Sequence, residues 1–337
     1  MTKPPTVEDV ALAAGVSRQT VSNVLNTPAV VKVATRERVE RAIADLGYRR
    51  HAAARQLRTR RSSTIGIHLD PYAGGISGVV LDRFVHALTE RAGDRSMRIQ
   101  LYAARSPAEE IDRMRELVDG GELDAVVITG TFHGDPRTRW LVDNSVPFVS
   151  FGRPWGEDDV DDPAHLWVDV DGAAGTRAAT RHALAAAGPR VGFLGWPTGS
   201  GTGDDRERGW RTEMGPTAAR MPRLTSDESV GHARLVVAES LAAGADDLDA
   251  IVCASDSLAI GAHLAAAAAG RPDLPVFGFD NTPAVEALGL SSVEQLPEKV
   301  AAGALELLMG PTGSVVDPRT PDAGSAHVLV EPRLVVR

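Results

Sequence analysis

Residues 6–26, TVEDVALAAGVSRQTVSNVLN, have the pattern of two short helices joined by a tight turn. Thr6 is a suitable N-cap for the first helix, and the side chain of Asp9 can bond back to the backbone N–H of that cap. Gly15 suits a left-handed residue at the end of this helix, and Ser17 can cap the second. This stretch therefore predicts a helix-turn-helix unit at the start of the chain.

The second helix of this unit leaves polar side chains on its outer face. The outward residues are Arg18, Gln19, Ser22 and Asn23. Arg and Gln can both make bidentate hydrogen bonds to purine edges, so a helix that begins with this pair suits the major groove of DNA. From these residues alone, a small solvated helical hairpin is the alternative interpretation.

A third helix is predicted from Thr35, as its N-cap, to Leu46, with Gly47 as the residue that ends it. Three short helices can enclose one small core. The segment that follows, GYRRHAAARQLRTRRSS, is basic and too short to be stable as a helix by itself. We expect it to fold on a partner.

Three segments in this order resemble the DNA-binding headpiece and hinge of the LacI/GalR family of bacterial transcriptional regulators: DVALAAGVSRQTVSNVLN, TRERVERAIADLGY and AAARQL. The resemblance continues through later motifs and covers almost the whole chain. It implies a homodimer that binds a palindromic operator in double-stranded DNA, and a repressor is the expected role. It also implies a helix-turn-helix headpiece at 1–50, a hinge helix and linker at 51–63, and a two-lobed effector-binding and dimerisation core at 64–337.

The resemblance assigns DNA contacts to individual residues. Arg18 and Gln19 match the positions that read bases, whereas Asn23 departs from the Arg of many relatives and leaves the base preference there open. Leu57 matches the leucine that the family inserts into the minor groove at the operator centre, with packing against its own headpiece as the alternative. The remaining expected contacts, to phosphate and backbone, come from Thr20, Ser22, Lys32, Arg36 and Arg49.

The charge distribution supports this division of the chain. The whole chain of 337 residues has a formal net charge of −9, which taken alone argues against nucleic acid. Residues 1–61, however, carry 12 Lys or Arg against 5 Asp or Glu, and the remaining 276 residues carry 24 against 40. A basic head on an acidic body presents one face to phosphate and repels it elsewhere.

From Thr64 onward the pattern alternates between strands and helices, which predicts mostly parallel sheets covered on both faces. Strands are predicted near 65–69, 98–102, 125–129, 147–151, 190–194, 250–253 and 276–279. Helices are predicted near 77–92, 107–119, 136–144, 173–187, 205–214, 230–243 and 258–269. Two sets of similar size indicate two lobes.

The acidic, irregular run at 152–170 is interpreted as a loop that crosses between lobes. The resemblance implies a periplasmic-binding-protein-like core in which the chain crosses three times. Lobe 1 is then expected at about 64–155 and 292–322, and lobe 2 at about 156–291 and 323–337, with a last strand near 326–336. In such a core, ligands bind in the cleft between the lobes.

Two residues are the main candidates for effector contacts. Arg206 matches the effector-binding arginine of the family, and Asp280 follows a strand at its carboxyl end, where α/β folds place ligands. A guanidinium and a carboxylate can bracket the hydroxyls of a sugar, the favoured effector, or the polar edge of a purine, the alternative. An ordinary salt bridge between the two is the plain interpretation. Weaker candidates by position are His68, Asp70, Arg153, Ser255 and Trp196, with Tyr72 and Trp155 as further aromatic side chains near a sugar.

No catalytic constellation, cofactor motif or metal-ligand spacing is found in the sequence. Residues 199–205 lack the Lys-Ser/Thr end of a phosphate-binding loop, and the acidic run lacks the pattern of a calcium loop. We therefore expect no cofactor, no metal and no enzymatic activity. A sugar-binding transport protein and a glycoside-acting enzyme are the rival classes, and the first is disfavoured because the N-terminus lacks a secretory signal.

The single cysteine, Cys253, excludes a disulfide within the chain and is expected in a buried strand. No apolar run approaches the length that spans a bilayer. We therefore expect a soluble, cytoplasmic protein with no membrane partner. Because the chain ends at Arg337 without a heptad helix, a dimer is expected instead of a tetramer.

Overall fold

The computed structural model describes residues 5–48, 61–69, 78–155, 160–243, 248–310, 314–316 and 326–337. The chain divides into two compact units, residues 1–61 and residues 62–337. Among the described residues, every helix is too short or too polar to cross a bilayer.

The first unit contains three described α-helices around a small apolar core. They are α1 (Val7–Ala14), α2 (Arg18–Asn26) and α3 (Val33–Leu46). Val10, Val21 and Val39, one from each helix, are fully buried against one another. The predicted helix-turn-helix unit is confirmed.

The predicted caps of the first two helices are confirmed. The backbone N–H of Thr6 donates to the Asp9 carboxylate at 2.7 Å, and the Thr6 hydroxyl accepts from the N–H of Asp9. Gly15 has φ 62°, the left-handed conformation expected of it. Ser17 Oγ accepts from the N–H of Thr20 at 3.1 Å. Each cap is worth about 1 kcal/mol, so these contacts fix where α2 begins.

The third helix begins at Val33, three residues before the start that an N-cap at Thr35 predicts. The carbonyl of Lys32 accepts from the N–H groups of Thr35 and Arg36, so Thr35 lies inside the first turn and the prediction of Thr35 as the N-cap is wrong. Gly47 ends the helix with φ 62°, as predicted. The predicted hinge helix lies outside the described residues.

The second unit contains two six-stranded sheets. The strands in chain order are β1 (Thr64–Leu69), β2 (Arg98–Ala103), β3 (Ala125–Thr129), β4 (Phe148–Phe151), β5 (Leu166–Val170), β6 (Val191–Gly195), β7 (Arg223–Thr225), β8 (Ala250–Cys253), β9 (Val276–Phe279), β10 (Ser291–Glu294), β11 (His327–Val330) and β12 (Arg333–Val335). The first sheet has the order β11-β5-β4-β3-β1-β2, and the second has the order β12-β10-β9-β8-β6-β7. Every neighbouring pair is parallel except β10 with β12.

Helices connect these strands and cover the sheets. In chain order they are α4 (Gly78–Asp94), α5 (Pro107–Asp119), α6 (Pro136–Asp143), α7 (Gly172–Ala186), α8 (Thr202–Met214), α9 (Val230–Ala242), α10 (Asp256–Ala268), α11 (Pro283–Ala287) and α12 (Pro297–Met309). Phe84 of α4 and Leu305 of α12 are fully buried in the core of the first sheet. Trp210 of α8 and Phe193 of β6 stack in the core of the second, where Cys253 is also buried. The predicted α/β class is confirmed.

The chain crosses between the sheets three times, as expected from the resemblance. It leaves the first sheet after Val170, returns after Gln295 and leaves again after Val330. We therefore define lobe 1 as residues 62–170 and 296–330, and lobe 2 as residues 171–295 and 331–337. Because α12 packs against α4 and β5, the segment 297–309 belongs to lobe 1.

The expected lobe boundaries need correction because two strands were misinterpreted. Residues 166–170, assigned to a crossing loop, form β5, which pairs with β4, so the first crossing lies after Val170 and not near residue 155. The acidic residues before this strand obscured its buried Trp167 and Val168. The single last strand predicted at 326–336 is two strands, β11 in lobe 1 and β12 in lobe 2. Pro332 separates them, since it cannot donate to a sheet ladder.

Candidate functional site

A cavity of about 240 Å³ lies between the lobes, where strands of both sheets end. Parallel strands in open α/β folds place ligands at their carboxyl ends. Lobe 1 contributes the ends of β3, β4 and β5, and lobe 2 contributes the end of β9 and the start of α8. The lining side chains that matter most are Thr129, Trp155 and Asp169 from lobe 1 and Arg206, Phe279 and Gln295 from lobe 2.

Arg206, the first of the two main candidates, lines this cavity from α8. Its side chain is buried, and Nη1 donates to the carbonyl of Ala254 at 2.5 Å. The guanidinium carbon lies 3.8 Å from the ring centre of Phe279 and 5.4 Å from that of Trp196. Burial lowers the pKa of Arg206, and nearby carboxylates, Asp280 first among them, oppose that effect. The guanidinium is thus desolvated and held in one orientation.

Asp280, the second candidate, lies beside Arg206 behind the cavity wall. The distance from Asp280 Oδ1 to Arg206 Nη1 is 3.8 Å, and Gln295 Nε2 donates to the same oxygen at 2.6 Å. Burial raises the pKa of Asp280 to about 7, although Arg206 opposes the shift. Its φ of 117° is unusual for a residue with a side chain and costs about 1–3 kcal/mol. The two candidates are therefore brought together as an ion pair.

Arg153, a weaker candidate, connects the two lobes. It follows β4 in lobe 1, where Nε donates to Asp169 at 2.8 Å. Nη2 donates to Asp205 of lobe 2 at 3.0 Å. Burial lowers the pKa of Arg153, but these carboxylates outweigh it and the net shift is upward. This guanidinium is therefore already saturated by carboxylates from both sides of the cleft.

Trp196 and Ser255 meet at one carboxylate in lobe 2. Trp196 Nε1 and Ser255 Oγ each donate to Glu228 Oε2 at 2.7 Å. Ser255 also caps α10 by accepting from the N–H of Leu258. Neither residue is among the described ones that line the cavity. Trp196 packs near the Arg206 guanidinium, and Ser255 follows Ala254, whose carbonyl accepts from Arg206.

His68 is at the end of β1, as predicted, and its side chain is not among the described ones that line the cavity. Nε2 lies 3.1 Å from the carbonyl of Ala104, and Nδ1 lies 3.6 Å from Glu110. Glu110 in turn accepts from buried Arg137 at 2.8 Å. His68 therefore belongs to a buried polar network inside lobe 1, and its contact with an effector stays a prediction. Asp70 and Tyr72 lie outside the described residues.

Several residues of the cavity were not predicted as contacts. Asp169 is the last residue but one of β5, a strand that was interpreted as a loop, and Gln295 follows β10, a strand that was not predicted. Asp205 was predicted only as the start of a helix at 205–214, and not as a contact. The alternation in LWVDV, with an acid at its carboxyl end, was the signal that could have located Asp169. Across the described ranges, no three His, Cys, Asp or Glu side chains are grouped so as to hold a metal ion.

The outer face of α2 carries the expected polar residues. The Arg18 side chain is 70% exposed and Nη1 lies 2.9 Å from Glu8 Oε1. Gln19 Nε2 donates to Asn23 Oδ1 at 2.9 Å. Thr20 Oγ1 lies 2.9 Å from Ser17 Oγ, and Ser22 Oγ accepts from Asn26 Nδ2. These contacts are local and weak, so the side chains can change partners at little cost.

The remaining DNA-contact candidates occupy the start of α3 or fall outside the described residues. Lys32 is exposed at the N-cap of α3, and Arg36 Nε lies 3.8 Å from Glu40 Oε1 one turn on. Arg49 and Leu57 lie outside the described residues. The described candidates thus share one unit and the neighbourhood of two helix N-termini, which favour anions.

Comparison with known proteins gives matches over the whole chain. Residues 6–51 match the family model of bacterial regulatory proteins, lacI family, and residues 180–337 match that of a periplasmic binding protein-like domain. The HTH-type transcriptional regulator CelR of Thermobifida fusca is 31% identical over 99% of this chain and 97% of its own length. The HTH-type transcriptional regulator IpsA of Corynebacterium glutamicum is 26% identical over 88% of this chain and 87% of its own.

Solved structures extend the similarity to the fold. A transcriptional regulator CelR-cellobiose complex aligns with 99% of this chain and 99% of that chain, at 28% identity and a TM-score of 0.68. A regulatory protein of LacI family from Chloroflexus aggregans aligns with 82% of this chain and 97% of its own, at 28% identity and a TM-score of 0.72. The lac repressor dimer bound to operator and the anti-inducer ONPF aligns at a TM-score of 0.77 over 99% and 98%, but at 22% identity it bears on the fold alone.

Proposed function

This chain belongs to the LacI family of bacterial transcriptional regulators, and from that premise we propose that it is an operator-binding repressor controlled by a sugar in the cavity between its lobes. The observation that carries the effector half of the proposal is the buried pair of Arg206 and Asp280 at the cavity between the two sheets. Its relatives are named as transcriptional regulators and not as enzymes.

In the DNA-binding half of the proposal, a homodimer sets one α2 into the major groove at each half-site of a palindrome. Arg18 and Gln19 read base edges, and Asn23 on the next turn modifies the preference. The remaining contacts hold phosphate and backbone and come from Thr20, Ser22, Lys32, Arg36 and Arg49. Leu57 opens a base step in the minor groove at the operator centre. Such a protein acts in the cytoplasm, where the operator is.

In the effector half, hydroxyl groups of a sugar accept hydrogen bonds from Arg206, which Asp280 supports from behind the cavity wall. A purine is the second candidate, because the aromatic ring of Phe279 also lines the cavity and would stack on a base. A ligand that contacts both lobes favours one relative placement of them over another. Since the coupling between ligand and DNA is reciprocal, DNA binding must change ligand affinity by the same factor.

The test combines selection of DNA from a random pool with anisotropy measurements on the selected site. We expect a palindromic site, and we expect one sugar from a panel to change DNA affinity about 5- to 150-fold. Asp280→Asn should remove the response to the sugar while leaving the DNA affinity without ligand unchanged. Selection of a non-palindromic site would contradict the dimer, and a response to purines alone would replace the sugar.

A further inference from the structure

Three residues that line the cavity each carry one buried polar atom with no hydrogen-bond partner among the described residues. The atoms are Thr129 Oγ1, Trp155 Nε1 and Arg206 Nε. An unpaired buried donor is destabilising, so native proteins leave few of them without a reason. Because the first two residues belong to lobe 1 and the third to lobe 2, one ligand that satisfies all three contacts both lobes.

The chemistry of these atoms restricts the ligand. The indole N–H of Trp155 and the Nε–H of Arg206 can only donate, whereas the Thr129 hydroxyl can donate or accept. A ligand that satisfies them must offer at least two acceptor atoms at separate positions. Ring and hydroxyl oxygens of a carbohydrate meet this requirement, and so do the oxygens of a phosphate. Hydrogen bonding alone therefore does not decide between a sugar and its phosphate ester.

The charges around the cavity favour the neutral sugar over its phosphate ester. Arg153 is bonded to the carboxylates of both Asp169 and Asp205, and Arg206 is paired with Asp280. Asp205 also accepts from the N–H of Ala173, so its position is fixed from both sides. Arg153 is therefore left without an uncompensated positive charge for an anion, and several carboxylates act together on Arg206.

Further carboxylates make the surroundings of the two guanidiniums negative. Glu228 and Asp171 act electrostatically on Arg206 and Arg153, respectively, in addition to the carboxylates already bonded to them. A third guanidinium, that of Arg208, donates to Asp205, but its side chain is 63% exposed and is screened by solvent. Like charges brought together in a cleft of low dielectric cost several kcal/mol, which a dianionic phosphate would incur on entry.

We propose that the effector is an uncharged carbohydrate and that the cavity rejects the phosphorylated form of the same sugar. The inference rests on the proposed sugar-controlled function and adds the charge state of the effector to it. Within it, Trp155 and Thr129 act as specificity-determining contacts on the lobe 1 side, opposite Arg206.

The position of Trp155 makes it sensitive to the approach of the lobes. A Cβ atom added to Gly201 would lie 2.5 Å from Trp155 Cγ, so the indole of lobe 1 packs directly on the backbone that precedes α8 in lobe 2. The guanidinium carbon of Arg153 lies 5.0 Å from the centre of the same indole. A hydrogen bond from this N–H to a ligand therefore forms at the junction of the lobes.

Calorimetric titration of the full chain with matched pairs of probes tests the inference. The pairs are cellobiose, maltose and trehalose, each with its 6-phosphate. We expect a neutral member to bind and its phosphate to bind at least about ten times more weakly, which corresponds to about 1.4 kcal/mol. Equal or tighter binding of a phosphate overturns the inference and leaves a sugar-controlled regulator standing. Failure of all six probes overturns the sugar effector itself, and the inference with it.

Two sets of variants locate the cause of the discrimination. Asp169→Asn/Asp205→Asn removes the charges that saturate Arg153 and should narrow the difference between a sugar and its phosphate by about tenfold or more. Asp205→Asn alone serves if the double variant does not fold. Asp204→Asn, one residue away and exposed, is the matched control and should leave the difference unchanged. If Asp169→Asn/Asp205→Asn discriminates between a sugar and its phosphate as strongly as the parent does, these charges do not set the preference for the neutral sugar.

The contact from Trp155 is tested by removing only its N–H. Trp155→Phe keeps an aromatic ring against Gly201 and should weaken binding of the neutral sugar about tenfold. Trp140→Phe, on α6 of the same lobe and away from the cavity, is the control and should bind as the parent does. Unchanged binding by Trp155→Phe would remove this residue from the proposed contacts.

Discussion

The outer face of α2 and the cavity between the lobes use the same residue type in opposite ways. Arg18 is 70% exposed and pairs with exposed Glu8. Arg206 is buried, stacked on Phe279 and bonded to a backbone carbonyl. One arginine is free to move before it meets a partner, whereas the other is held in place by the folded protein.

The two arginines differ in the step at which the desolvation of their charge costs free energy. For Arg206 the cost arises on folding, so its surroundings must compensate the charge whether or not a ligand is present. For Arg18 the cost arises only on binding, and the phosphate field of DNA offsets it. Substitutions in the cavity should therefore change both stability and ligand response, and substitutions on α2 should change DNA binding alone.

The largest effect is expected from Arg206→Ala. Above the pKa of Asp280, about 7, the change leaves an ionised carboxylate buried without its cation and should cost about 3–5 kcal/mol of unfolding free energy, measured by denaturant titration at pH 8. The response to effector should be lost as well. Arg206→Met/Asp280→Asn, which removes both charges, should recover much of the stability and none of the response. An Arg206→Ala variant as stable as the parent would contradict the comparison between the buried and the exposed arginine.

Next in size is the effect of Arg18→Ala or Gln19→Ala on operator binding. Each removes a bidentate base contact and should weaken specific binding by about 1–3 kcal/mol, with thermal stability nearly unchanged. Anisotropy at fixed salt measures the affinity. Arg41→Ala removes the same charge from an exposed position on α3. It should weaken binding to every DNA sequence by the same amount, and by less than Arg18→Ala weakens binding to the operator. A lower thermal stability of Arg18→Ala would show that the Arg18 side chain also stabilises the fold of α2.

The ionisation of Asp280 should give the folded core a measurable pH dependence. Its pKa is raised to about 7 in the folded state from an ordinary value of 3.8, so the stability that its proton confers is lost as pH rises towards 7. Asp280→Asn cannot ionise and should therefore gain stability relative to the parent as pH rises, by at most about 1.4 kcal/mol per pH unit. Melting temperatures from pH 4.5 to 8 provide the measurement. A difference that does not vary with pH would mean that Asp280 stays charged throughout.

The smallest effect is expected from Glu8→Gln. The pair of Glu8 with Arg18 is exposed, and such pairs contribute about 0.2–1 kcal/mol at most. The variant should melt close to the parent temperature and bind operator slightly more tightly, since a negative charge near DNA is removed and Arg18 is released. Weaker operator binding would indicate that Glu8 orients Arg18 for its base contact.

Much of the fold could be predicted from local patterns of apolar and polar residues in the sequence. Strands β8 and β9, AIVC and VFGF, are short continuous apolar runs followed by polar residues, and both lie at the predicted positions. Strand β5 was missed because its neighbours are acidic, and the break between β11 and β12 depends on which sheet each half joins. That choice is made by tertiary packing and not by local propensity.

The candidate site was predictable only in part, for a related reason. Position at a strand end pointed to Asp280, and a motif pointed to Arg206. Position alone did not show that His68 lies beside the Ala104 carbonyl and Glu110, because these partners come from a distant part of the chain. A sequence also does not show which charged side chains will pair in the fold. The hydrogen bond from Arg153 to Asp205 across the lobes therefore could not be predicted from the sequence.

The buried cysteine on β8 gives the protein a convenient experimental property. Cys253 is the one thiol in the chain, it is buried within the core of lobe 2, and burial raises its pKa well above the ordinary range. Maleimide dyes react with accessible thiolates, so the folded protein should remain unlabelled. Cysteines introduced at one exposed position in each lobe would then carry a donor and an acceptor fluorophore, and the distance between the lobes could be followed in single molecules without first removing a native reactive group.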